Sequence, residues 1–235
     1  MTPIVLVHGG GFDSRCWERL VPLLDGPVLA VDLPGRGRHP MPLEDVDFAV
    51  CATSVAADLD EAGFDDVVLV GHSLAGCVLP AVVGRLGAAR VRSVAFVAAT
   101  VPEGGVSALE TLDDDLRARA GAATAQPADE PAIMDDAMAR IVLGDDLDEE
   151  QFAWCVERLV PEALQLVIDP VDLAPLRGVA CTWVRTLHDV VVPAERQLRF
   201  AANLGDCPVV DLAAGHMCMV SRPAALAALL DDLAR

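Results

Sequence analysis

Val67-Val68-Leu69-Val70-Gly71-His72-Ser73-Leu74-Ala75-Gly76 opens with four apolar residues and runs straight into a stretch rich in Ala, Val and Leu. A short, unbroken apolar run reads as a strand buried on both faces, here Val67–Val70. The pattern that follows reads as a helix over Leu74–Arg85. Ser73 stands at the turn between them. A tight strand-to-helix turn of the form G-x-S-x-G projects a Ser hydroxyl at the carboxyl edge of a sheet. Small residues at Gly71 and Ala75 let such a turn close, although the last position is usually Gly and here is Ala75. The helix start adds a backbone N–H at Leu74 and a dipole that favours developing negative charge. On this motif alone, a plain turn with a Ser cap stays open as the alternative.

Outward from this stretch the same alternation continues. Ile4–Val7, Val28–Val31, Val94–Ala98, Thr182–Thr186 and Val209–Leu212 read as strands. Cys16–Leu24, Phe48–Ala62, Ala194–Ala202 and Pro223–Ala234 read as helices. Strands alternating with helices define an α/β class with a mainly parallel sheet of about six strands flanked by helices. One region breaks the rhythm. Between Val101 and Pro175 no strand is evident. Ser107-Ala108-Leu109-Glu110 has capping-box form and should start a helix. A second helix should end near Gly144, a third should be capped by Asp148, and Pro161 should begin a fourth. The expected organisation is a core of residues 1–100 and 176–235, with 101–175 inserted as a small helical cap.

Three further elements join the Ser73 turn, each placed after its own strand. His8-Gly9-Gly10-Gly11-Phe12 can present free backbone amides, and the N–H of Gly10 paired with that of Leu74 would form an oxyanion hole. A Gly-rich loop is by itself weak evidence, and His8 is expected to support the loop rather than react. Leu187-His188-Asp189 puts an acid where a strand ends, the edge that carries functional groups in open α/β sheets. Ala213-Ala214-Gly215-His216-Met217 puts an imidazole after the last strand. In this reading Ser73 is the nucleophile, His216 the general base and Asp189 the group that orients it. The chain order Ser, Asp, His fits that arrangement. Gly11, Phe12, His72, Trp154 and Met217 are candidates for pocket lining. His39 is expected in a solvated loop, and Trp17 and Trp183 in the core.

Composition narrows the partners. The chain of 235 residues carries a formal charge of −19, which disfavours nucleic acid and anionic membrane surfaces. No apolar run approaches the ~18 residues of a membrane span. Met1-Thr2-Pro3 leads directly into Ile4–Val7 without the marks of a secretory leader, so a cytoplasmic protein is expected. The seven cysteines are scattered and unpaired in spacing, as buried free thiols would be in a reducing compartment. The five histidines show no HxH or HExxH spacing, and no metal or cofactor is implied.

With these motifs the chain resembles the α/β-hydrolase superfamily over essentially its whole length. Asp32-Leu33-Pro34-Gly35-Arg36-Gly37 looks like that family's loop after the second strand, and Phe96-Val97-Ala98-Ala99-Thr100-Val101-Pro102-Glu103-Gly104-Gly105 like the entry into the cap in its small esterase and lyase branch. The nearer similarity is to plant methyl-ester esterases, hydroxynitrile lyases and bacterial pyrethroid-hydrolase-like proteins. The resemblance implies an α/β-hydrolase fold and a Ser73–His216–Asp189 triad. The lyases place Lys after the histidine and Thr at the oxyanion loop. This chain has Met217 and Gly10 there, as the esterases do. A small-molecule ester, largely apolar and neutral, is therefore the expected substrate, cleaved through an acyl-enzyme. Carbon–carbon cleavage, lactone opening or a lyase step on the same residues, and a receptor-like role with negligible turnover, remain as alternatives. The oligomeric state is open.

Overall fold

Six runs rich in Val, Ile and Leu form one sheet in the computed structural model, which describes residues 1–112, 117, 133–134, 136–143 and 146–235. The strands are β1 Ile4–Val7, β2 Val28–Val31, β3 Val67–His72, β4 Val91–Val97, β5 Ala180–Thr186 and β6 Val209–Leu212. All neighbours pair in parallel, in the order β2-β1-β3-β4-β5-β6. β1 and β3 are buried at every residue, as central strands covered on both faces must be. β2 and β6 are the edges, and their residues are largely half-buried or exposed.

The order reverses between β1 and β3, because the chain leaves β1 towards one edge and returns to its other side. In open α/β sheets the crevice at such a reversal, beyond the carboxyl ends of the strands, is where ligands bind. Register makes the crevice narrow here. Val7 at the end of β1 lies opposite Gly71 of β3, so the His8–Gly11 loop and the Ser73 turn leave the sheet side by side.

The alternating side chains feed two cores. Val5, Val7, Leu69, Phe96 and Trp183 pack against α1 Phe48–Ala62, α2 Ala75–Leu86 and α6 Ala194–Asn203. Ile4, Leu6, Val70, Val97 and Val184 pack against Trp17, α7 Cys218–Ser221 and α8 Pro223–Leu233. The second core also takes in α3 Asp136–Leu143 and α4 Glu149–Val156, through Ala139, Leu143, Phe152 and Cys155. Between these and β5 lies the single turn α5 Gln165–Ile168. Among the described residues there is no strand between Val97 and Ala180.

Several elements differ from their sequence-based expectation. Cys16–Leu24 is two 3-10 turns, Ser14–Trp17 and Val21–Leu23, rather than one helix. Pro22 explains this, since it has no N–H to continue a helical ladder through the segment. Ser107 and Glu110 form their reciprocal capping bonds, but only the 3-10 turn Leu109–Thr111 follows, and the rest of that expected helix lies outside the described residues. Gly144 also lies outside them. Asp148 caps α4 with Gln151 completing the box. Pro161 does not start a helix. The amide of Val160 instead donates to the carbonyl of Gly11 (2.9 Å), so this stretch is spent on the glycine loop.

Candidate active site

Ser73 has φ +52°, a left-handed conformation that costs a non-glycine residue energy and persists only when its surroundings impose it. Here they do. The Ser73 amide donates to the carbonyl of Val97 (3.1 Å), and its carbonyl accepts from Gly76 (3.0 Å) and Thr100 (2.9 Å). The glycines are set by contact. A Cβ on Gly71 would lie 2.6 Å from Leu79 Cδ1, and one on Gly76 2.4 Å from the Thr100 carbonyl oxygen. The departure at Ala75 is accommodated because its methyl is buried and the closest backbone approach falls on Gly76 instead.

The glycine loop is stitched to both neighbouring strands. Leu33 N–H donates to His8 Nε2 (3.1 Å), which leaves the proton on Nδ1 to donate to the Gly9 carbonyl (2.9 Å). Burial, reinforced by Arg36, lowers the His8 pKa to about 4, so His8 is a neutral strut. A Cβ on Gly9 would meet Ser73 Cβ at 2.9 Å, and one on Gly10 would meet Leu74 Cδ2 at 3.1 Å. Loop and turn are thus in van der Waals contact. Among the described residues nothing accepts a hydrogen bond from the Gly10 or Leu74 amide.

Asp189 follows β5 and is buried. Its Oδ1 accepts from Val191 N–H (2.9 Å) and Val192 N–H (2.8 Å), and its Oδ2 from Thr186 Oγ1 (2.9 Å). Oδ2 also receives His216 Nδ1 at 2.9 Å, and His216 Nε2 lies 3.0 Å from Ser73 Oγ. Burial works against the Asp189 charge. The imidazole and the three donors outweigh it and hold the carboxyl below its ordinary range. With its proton on Nδ1, His216 offers a bare Nε2 to the serine hydroxyl. This is the geometry a general base needs to activate a nucleophile.

Four supporting residues are not singled out by the sequence, although Arg36 lies in the Asp32–Gly37 loop. Gln197, fully buried on α6, accepts from Trp183 Nε1 (3.2 Å) and Thr186 N–H (3.1 Å) and donates to Val192 O (2.8 Å) and Thr186 Oγ1 (2.9 Å). Its one signal is a polar residue on the apolar stripe shared with Phe200 and Ala201. Arg36 belongs to the loop after β2, and its buried guanidinium forks onto Glu162 (2.6 and 3.2 Å). Glu162 in turn accepts from Gly11 N–H at 2.8 Å. Burial opposes the Glu162 charge, but Arg36 and the amides keep the carboxyl below its usual range. Asp146 accepts from Gly215 N–H (2.7 Å), beside His216.

The candidate pocket residues take different places. Phe12, His72 and Met217 are buried among core side chains. His72 Nε2 donates to the carbonyl of His216 (2.9 Å), with the two rings 4.7 Å apart. Burial and the neighbouring His216 lower its pKa to about 3. Gly11 is buried under Leu159 and Val160. The Trp154 ring is held between the guanidiniums of Arg19 (5.1 Å) and Arg158 (3.8 Å). His188 is exposed. His39 is not simply solvated: its Nε2 lies 3.0 Å from buried Asp58. All seven cysteines are free, six of them buried. Among the described residues no helix is long and apolar enough to cross a membrane.

A parallel sheet with Ser73, His216 and Asp189 hydrogen-bonded at its carboxyl edge defines an esterase-like hydrolase. The profile described as the alpha/beta hydrolase family matches residues 4–229, and the chain belongs to that family. It is 32% identical over 247 residues to lipase LipV of Mycobacterium tuberculosis, covering 97% of this chain and 91% of the lipase. It is 30% identical over 249 residues to a carbendazim hydrolyzing esterase of Nocardioides, covering 99% of this chain and 100% of the esterase. In structure it is similar to an extracellular alpha/beta-hydrolase from a Paenibacillus species (TM-score 0.88, 17% identity, 99% and 98% of the two chains). It is also similar to polyneuridine aldehyde esterase (TM-score 0.77, 21% identity, 100% of both chains). These structural likenesses, at low identity, speak for the fold.

Proposed function

We propose that the protein hydrolyses carboxylic esters through an acyl-enzyme on Ser73. The observation that carries this reading is the continuous hydrogen-bonded chain Ser73 Oγ–His216–Asp189 beside two amides, those of Gly10 and Leu74, that are unengaged among the described residues. Ser73 Oγ attacks the ester carbonyl while His216 Nε2 takes its proton. The Gly10 and Leu74 amides hold the oxyanion, and Asp189 stabilises the imidazolium. His216 returns the proton to the leaving alcohol. Water, activated by the same imidazole, then releases the acid and regenerates Ser73.

Relatives named as a lipase and a carbendazim hydrolyzing esterase support ester substrates. The net charge of −19 favours neutral ones. We read residues 101–175 as the cap that selects among them, and the free cysteines as suiting a reducing compartment such as the cytoplasm.

The test is a panel of aryl, alkyl and methyl esters and lactones, with products identified by mass spectrometry, alongside labelling by a fluorophosphonate. Turnover of a short activated ester and an adduct at Ser73 are expected. Ser73→Ala should lower kcat by about 10⁴-fold or more with the fold intact. Labelling that survives in Ser73→Ala would overturn the nucleophile assignment. Cyanide release from mandelonitrile without ester turnover would overturn the reaction.

A further inference from the structure

We propose that Glu162, paired with Arg36, is a positioning residue that sets the direction of the Gly10 amide; the proposal rests on the oxyanion role given to that amide above. A loop of three consecutive glycines has no side chains with which to hold its own shape, and Gly11 sits at φ +72°. Its shape must come from outside. Both peptide groups flanking Gly11 are fixed by one stretch of chain. Gly11 N–H donates to Glu162 Oε2 at 2.8 Å, and the Gly11 carbonyl accepts from Val160 N–H at 2.9 Å. The Gly9–Gly10 peptide, which carries the Gly10 N–H, is held at its carbonyl by His8 Nδ1 (2.9 Å), and Glu162 and Val160 hold the two peptides that follow, so the Gly10 torsions are set from both sides and Glu162 supplies the far one.

The carboxylate is fully used by the protein. Oε2 accepts from Gly11 N–H and Arg36 Nη1 (3.2 Å), and Oε1 from Arg36 Nη2 (2.6 Å) and Ala163 N–H (2.8 Å). Those four donors match the sites a carboxylate offers. Glu162 therefore has nothing left for a substrate, which separates it from a catalytic residue. Arg36 grips the same loop from its other end through the carbonyl of Phe12 (3.1 Å).

The pairing also has an electrostatic purpose. Glu162 Oε2 lies 3.2 Å from where a Gly10 Cβ would be, so a bare negative charge there would oppose the oxyanion. The guanidinium, with 1% of its side chain exposed, makes the pair neutral. The single variant Arg36→Met and the double variant are thus not equivalent. Arg36→Met leaves the charge beside the hole, whereas Arg36→Met/Glu162→Gln removes it.

The experiment measures kcat, KM and inhibition by an alkyl trifluoromethyl ketone, whose hemiketal oxyanion occupies the same site. For Glu162→Gln, kcat should fall about 10²-fold with KM within a few-fold, the size of effect expected when a reacting group is displaced by ~1 Å. Inhibition should weaken by the same factor as kcat/KM. Arg36→Met should be more impaired than the double variant. Arg36→Lys, which keeps charge but not the fork, should retain more activity than Arg36→Met. In the parent protein, proton exchange at the Gly11 amide, read by ¹⁵N-glycine NMR, should be strongly protected; this holds the proposal to account if the variants do not fold.

An unchanged kcat in folded Glu162→Gln, a defect confined to KM, a double variant worse than Arg36→Met, or a Gly11 amide that exchanges like an open loop would each overturn the proposal. A parent that turns over no ester and is not labelled at Ser73 would instead overturn the underlying reading.

Discussion

The two arms of the site are supported in opposite ways. Asp189 rests on neighbours in sequence: Thr186, Val191, Val192 and Gln197 all lie in the β5–α6 connection or at its ends. The glycine loop rests on distant ones. Arg36 and Glu162 are 126 positions apart, and Glu162 is 151 positions from the Gly11 amide it holds. The acid arm is therefore built by a local turn on a strand end, while the proposed oxyanion arm is held only when residues 159–163 have docked. On the proposed reading, the segment between β4 and β5 supports the catalytic geometry as well as covering it. Glu162 reaches the glycine loop, and Asp146 reaches the loop of His216.

Breaking the acid arm at its centre should have the largest effect. Asp189→Asn keeps the shape but favours the wrong His216 tautomer, and kcat should fall by about 10⁴-fold with little change in thermal midpoint. A loss below tenfold would mean that Asp189 does not orient the imidazole. Excising residues 106–174 tests the other arm, since Glu162 and Asp146 leave with it. Turnover of even a small activated ester should drop at least about 10²-fold, the scale of a lost oxyanion donor. A folded deletion that keeps parental kcat would show that the segment governs substrate choice alone.

Gln197→Leu probes the local support. It leaves Trp183 Nε1 and Thr186 N–H buried without an acceptor, at about 1–3 kcal/mol each. A thermal midpoint lowered by several degrees should accompany a roughly tenfold fall in kcat, checked by calorimetry and steady-state kinetics. Parental stability in the variant would show that water replaces the amide.

The effect with the least bearing on turnover is a pH dependence of stability shared by both arms. His8 and His72 have folded pKa values of about 4 and about 3. Both lie below the ~6.5 of an unfolded chain. The unfolded chain then binds more protons, so this contribution to stability is complete above about pH 6.5 and is lost as pH falls through the two folded values. Between about pH 4.5 and 6 the slope should approach about 2.7 kcal/mol per pH unit, two protons' worth. Denaturant titrations at several pH values measure it. A flat profile over that interval would mean that the imidazoles are already charged in the fold.

Legibility in the sequence follows the same divide. Ser73 follows an unbroken apolar run, and Asp189 and His216 follow short strands rich in Val and Thr, so their positions are readable from short windows. Strand β3 runs on to His72 where the apolar run stops at Val70, because pairing with Phe96 and Val97 recruits Gly71 and His72. Glu162 is one of 36 acidic residues and has no local mark. Its meaning lies in Arg36 and Gly11, which only the folded chain brings to it. Cys16–Leu24 misled for a local reason, since its helical periodicity outweighs a single Pro22 until the missing N–H is counted.

The turn at Ser73 has a consequence in time. Its left-handed backbone is secured from β4 and the residues just beyond it: Val97 accepts from its amide and Thr100 donates to its carbonyl. β3 alone cannot hold that conformation. As a newly made chain lengthens, the serine side chain passes through an ordinary loop state and reaches its working orientation only when the following strand has been made and docked. The proposed nucleophile thus depends on two later stretches of chain, β4 for its backbone and the His216 loop for its activation, and an irreversible serine label added during refolding would record the moment at which both are in place.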